Sequence, residues 1–123
     1  MRKLLIILLI LSLVCFSLVG CSNNDTNFSE LSSDDQNGFI WEMAKTAVKD
    51  NLKSPSTAKF PTYNNATIKS EGNNVFTISS YVDAQNGFGA TIRSNFIAKI
   101  KVNDAADKGG YNYSVQDVKI LSK

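Results

Sequence analysis

From Ala90 to Val102 the chain alternates in polarity almost without a break. Ala90, Ile92, Phe96, Ala98, Ile100 and Val102 share one parity; Thr91, Arg93, Asn95, Lys99 and Lys101 share the other. Successive side chains of a strand point to opposite faces, so this period of two calls for a strand with one face in a core and one in water. Val75 to Val82 repeats the pattern, with Phe76, Ile78 and Val82 opposed to Thr77, Ser79 and Tyr81. Between the two lies Asn86-Gly87, a dipeptide favoured in tight hairpins that require positive φ, so the two runs are expected to pair antiparallel. A shorter run, Thr67 to Ser70, precedes them across Gly72-Asn73-Asn74, and Tyr111 to Leu121 follows the Lys108-Gly109-Gly110 turn.

That last run changes phase. Tyr111, Tyr113 and Val115 have one parity, while Val118 and Ile120 have the other. A bulge near Gln116-Asp117 would bring all five to the core. Without it the tyrosines lie on the open face beside Ile97 and Tyr81, as an exposed aromatic patch of the kind that marks binding surfaces.

Upstream the period is helical. Ile40, Met43, Ala44, Ala47, Val48 and Leu52 recur at spacings of three and four, which predicts a helix over Phe39 to Leu52. Asp34, Asp35 or Asn37 offers a cap at its start, and Ser54-Pro55 stops it, because a residue before proline is pushed out of the α region. Phe39 and Trp41 flank the stripe, either as core edges or as a contact for a partner. Ser54 to Asn65 reads as an irregular crossing with Phe60 plugging the core. The expected architecture is α+β: one N-terminal helix packed on an antiparallel meander of about four strands. From Ser22 to about Asn37 only Phe28 and Leu31 are large and apolar, too little to offset ordering entropy. Residues 21–36 therefore read as a flexible tether and 37–123 as one folded domain, with Phe28 and Leu31 free to dock back.

The N-terminus carries Arg2 and Lys3, an apolar run from Leu4 to Val19, and then Gly20-Cys21. Basic residues, an apolar stretch and small residues near a cut site are the plan of an export signal. The run is 16 residues long, slightly short of the roughly 17 to 25 that span hydrocarbon. Leu18-Val19-Gly20-Cys21 resembles the lipobox of bacterial lipoproteins, which implies a diacylglycerol on the Cys21 thiol and removal of residues 1–20. The chain has 13 basic and 11 acidic residues; without Arg2 and Lys3 there are 11 of each. A neutral domain lacks the clustered basic face of nucleic-acid binders. Cys15 leaves with the signal and Cys21 is consumed by lipid, so no disulfide is expected. There is no His, which removes the commonest general base and the usual metal ligand.

Asp83 to Gly89 starts like a calcium loop but has Phe88 and Ser94 where an EF-hand needs glycine and an acid. Gly87-x-Gly89 stops short of a dinucleotide fingerprint. The stretch reads as turn chemistry, with Asp83 capping backbone amides. Arg93 lies about as far past the turn as Asp83 lies before it. An ion pair there, with Asn86 and Tyr81, makes a candidate partner-binding rim. No carboxylate pair or serine with a base emerges as catalytic, and neither metal nor cofactor is expected.

Ser54-Pro-Ser-Thr-Ala-Lys-Phe60-Pro61, followed by Tyr81-Val-Asp-Ala-Gln-Asn-Gly-Phe-Gly-Ala90 and Ile92-Arg93-Ser-Asn-Phe96, resembles a small domain that recurs in bacterial and phage-borne proteins. It often follows a lipoprotein signal or a membrane helix. The resemblance spans roughly residues 40–121 and implies a membrane-tethered accessory domain with no assigned activity. The expectation is a non-enzymatic binding module, lipid-anchored through Cys21 on the outer side of the cell membrane, or in the periplasm of a two-membrane envelope. Its partner is expected to be a protein or envelope component. A prophage-type exclusion lipoprotein and an envelope hydrolase are the alternatives.

Overall fold

The computed structural model describes residues 26–107 and 110–121. The export signal, the Leu18-to-Cys21 motif and part of the Lys108-Gly109-Gly110 turn lie outside the described residues.

Four strands form one antiparallel sheet in the order β1 (Thr67–Gly72), β2 (Val75–Gln85), β3 (Thr91–Asp107), β4 (Gly110–Leu121), and one helix, α1 (Ser33–Lys49), covers one face. This is the expected meander. The helical stripe and the alternating runs meet in a single core: Ile40, Trp41, Met43, Ala44 and Val48 from α1 pack on Phe76, Ile78 and Val82 of β2 and on Phe96, Ala98, Ile100 and Val102 of β3. Trp41 is core. Its ring stands edge-on to Phe60 at 6.0 Å and stacks on Phe96 at 6.3 Å, which seats Phe60 as the plug of the crossing segment. Phe39 stays half in water, with its ring edge-on to Tyr111 at 5.2 Å.

Ordered structure begins earlier than expected. Phe28, in a single 3-10 turn (Phe28–Glu30), is fully buried, and α1 begins at Ser33 instead of Phe39. The folded unit therefore starts before residue 37. One aromatic ring explains this: burying a Phe removes enough apolar surface to offset the ordering of a few polar neighbours. Polar anchors then hold the segment. The Ser29 N–H donates to Asp104 Oδ1 at 2.8 Å, and the Gln36 side-chain amide donates to the Phe28 and Leu31 carbonyls. Ser32 is the N-cap, its hydroxyl accepting from the Asp35 N–H at 3.2 Å; neither Asp34, Asp35 nor Asn37 fills that place. At the other end the helix stops at Lys49. The Asn51 and Leu52 amides then bond three residues back, so the last turn is tighter than an α-helix.

In β4 the bulge is present. Lys99 pairs with Asp117 and Ile100 with Val115, leaving Gln116 as the extra residue. The phase resets there, and Tyr111, Tyr113, Val118 and Ile120 pack against the core, whereas Val115, the fifth residue expected there, stays 45% exposed. Tyr111 crosses to the N-terminal segment, donating its hydroxyl to the Thr26 carbonyl at 2.7 Å. Between β1 and β2, Asn73 and Asn74 take φ of 53° and 56°, the paired left-handed conformation of a two-residue hairpin. No helix among the described residues is long and apolar enough to cross a membrane.

Candidate functional site

The face of the sheet away from α1 is open. The β2–β3 register sets Asp83 directly opposite Arg93. Arg93 Nε and Nη2 donate to Asp83 Oδ1 and Oδ2, each at 2.7 Å. The guanidinium lies 4.1 Å from the centre of the Tyr81 ring. Tyr81 precedes Asp83 by two residues and so shares its face, diagonal to Arg93, which is within reach of an aromatic side chain. A forked, planar cation suits both contacts at once. The hydrogen bond from Arg93 holds the Asp83 carboxyl below the usual carboxylate range; partial desolvation opposes this, and the charges of Arg93 and Lys59 reinforce it.

Two further residues join this rim, and neither is singled out by the sequence pattern. β1 pairs with β2 only as far as Ser79. Beyond that point the crossing segment takes its place. The Lys59 N–H donates to the Asp83 carbonyl at 2.8 Å and the Asp83 N–H to the Lys59 carbonyl at 2.9 Å, an isolated antiparallel bridge. Thr57 Oγ1 accepts from the Gln85 N–H at 2.9 Å. A polar cleft of about 280 Å³ lies here, lined by Thr57, Lys59, Asp83, Gln85 and Thr91. Asp83 engages two of the five guanidinium N–H donors. The remainder of the fork and the Lys59 ammonium suit a partner's acceptor oxygens.

Asn86 does not belong to that rim. Its side-chain oxygen accepts from the Phe88 N–H at 2.9 Å and the Ala90 N–H at 3.1 Å, and the Gly89 N–H returns to its carbonyl. Asn86 therefore caps the turn amides, the role expected of Asp83, whose carboxylate is committed to Arg93. The turn also differs from a two-residue hairpin. Positive φ falls on Gly89 (80°), not on Asn86 or Gly87, and three residues separate the closing pair Asn86 and Ala90. That is a type I turn followed by a left-handed residue.

On the helix side of the same hairpin a groove of about 290 Å³ opens, with Leu52, Val82, Ala84, Ile92 and Ile120 as its apolar wall and Asn51, Lys53, Gln85, Asn86 and Ser94 as its polar lining. Phe88, at the hairpin tip, is 98% exposed. No group of three or more His, Cys, Asp or Glu among the described residues is placed to hold a metal ion. Cys21, the expected lipidation site, lies outside the described residues. No protein-family model, curated protein or solved structure matches this chain.

Proposed function

We propose that the chain is an exported lipoprotein whose folded domain is a binding module presented at the cell envelope, not an enzyme. The observation that carries this reading is Leu18-Val19-Gly20-Cys21 at the end of an apolar run opened by Arg2 and Lys3. A second acyl chain on such a cysteine supports durable anchoring, since one chain alone holds only marginally.

The placement of the chain's first described residues supports a presenting role. Thr26 follows Cys21 by five residues, a reach of at most about 17 Å when extended. Thr26 meets Tyr111, and Phe28 meets Phe76 near the start of β2, whereas the Tyr81–Asp83–Arg93 rim and the Phe88 tip lie toward the other end of that strand. The rise from Phe76 to Gln85 is about 30 Å. An anchor on Cys21 therefore turns the rim and the tip away from the lipid. The perturbed carboxylates favour binding over acid–base work: Asp83, Glu71 and Asp104 are all held low by hydrogen-bonding partners and stay ionised at neutral pH.

Metabolic labelling with an alkynyl fatty acid, followed by membrane fractionation, tests the reading. Label on the wild-type chain in the membrane fraction, lost in Cys21→Ala together with processing, is the expected result. A Cys21→Ala chain that remains shortened and membrane-held overturns it.

A further inference from the structure

We propose that two copies of this chain associate through their β2–β3 hairpins, each inserting Phe88 into the groove beside Leu52 and Ile92 of the other. Three features of one end of the molecule lead there. Phe88 is 98% exposed, and the turn that carries it is held by two hydrogen bonds to the Asn86 side chain and by Gly89 in a left-handed conformation. The ring is thus presented on a stiff mount, so little ordering entropy opposes its burial in a partner.

The groove of about 290 Å³ opens on the same end, with Ile92 39% exposed on its wall and Leu52, Val82 and Ile120 beneath. Knob and socket therefore occur on the same chain, next to each other. That is the requirement for an isologous contact: the same patch serves both partners about a two-fold axis, and the contact closes instead of growing into a fibre. Both first described residues then leave from the end opposite the contact. Two copies anchored in one leaflet satisfy this with the axis along the membrane normal.

The contact is small. Two Phe rings bury about 150 to 250 Å² each, and with the matching groove walls the total is roughly 600 to 1,000 Å², below the span of stable complexes and within that of transient ones. A weak pair in dilute solution is expected, strengthened where copies crowd on one surface. Anchoring as proposed above enters through that crowding and through the direction of the two-fold axis.

Crosslinking of the full chain in the producing cell tests this. One tagged copy carries Lys53→Cys on the groove rim and a second, differently tagged copy carries Gly87→Cys beside the knob; a bis-maleimide linker joins them. The chain without added cysteine supplies the background from Cys15 and Cys21. The expected result is a mixed crosslink that falls at least about tenfold when Phe88→Ser is present in both copies, since each then loses a buried ring. Ile92→Lys, on the opposite side of the same contact, is expected to act alike. Thermal melts of the two variants establish that the fold is retained. No mixed crosslink, a mixed crosslink indifferent to Phe88→Ser, or a Gly87→Cys pair that links to itself as readily as to Lys53→Cys overturns the exchange. Fractionation before the linker is added reads the anchor separately. A chain found in the soluble fraction counts against lipidation, and the same crosslink on that soluble chain at high concentration still decides the exchange.

Discussion

The two ends of the sheet carry the same residue type in opposite states. At the end where β2 begins, Phe28 is fully buried, stacked edge-on against Phe76 and Tyr111 at 5.9 and 5.2 Å, with Asp104 and Tyr111 bonding the backbone around it. At the end where β2 finishes, Phe88 projects from a stiff turn and touches almost nothing, beside a groove that no part of the described chain fills. The first end is closed by the chain's own N-terminal segment. The second is left open. The exposed Phe88 ring and the groove beside it are the two surfaces that the proposed exchange between copies would cover.

The largest test of that contrast is a pair of truncations. Phe28→Ala removes a ring from a closed site and is expected to cost about 3 to 5 kcal/mol, read as a lowered midpoint in urea unfolding. Phe88→Ala in the monomer is expected to stay within about 0.5 kcal/mol, as for surface changes away from structural features. Equal losses for the two would erase the distinction.

Gly89→Ala comes next. The added methyl meets no neighbouring atom within 4 Å, so its effect isolates the backbone strain of a left-handed φ of 80°, about 1 to 2 kcal/mol. Thermal denaturation measures it, and a neutral result would mean that the turn adopts another shape without loss.

The smallest effect concerns the closed end in acid. The Asp104 carboxyl is held below its ordinary value, first by the hydrogen bond from the Ser29 backbone. A carboxylate depressed in the folded state contributes stability above its unfolded value, near 3.9, and loses it as pH falls through the lower folded value. Protection of the Ser29 amide, followed by hydrogen exchange, is therefore expected to persist down to the ordinary carboxylate range and to fail below it. In Asp104→Asn the pH dependence should vanish. Amides of the Asn86 turn, which lean on a side chain that does not titrate, should show no such step.

Much of the fold was legible because periodicity is a local property. The stripe from Ile40 to Val48 and the alternation in β2 and β3 each state which face is apolar, and a helix on a sheet is what two such faces make. The Asp83–Arg93 pair was legible for the same reason: once the two strands form a hairpin, equal distances from the turn become a cross-strand pair. Phe28 was not, since one apolar residue in a polar stretch has no period, and the rings it packs on, Phe76 and Tyr111, lie far along the chain. The Lys59 bridge to Asp83 was hidden likewise, because an irregular segment carries no register.

The amino-acid pattern by itself determined the one helix and four strands found among the described residues, since each rests on neighbours within a few residues. Only the tertiary structure decided that Phe28 is core and Phe88 stands in solvent. It likewise decided that Asn86 serves the turn while Thr57 and Lys59 complete the rim. Burial and pairing at these places depend on surfaces that meet only after the chain has closed on itself, where the free energy of removing a ring from water is set by what stands opposite it.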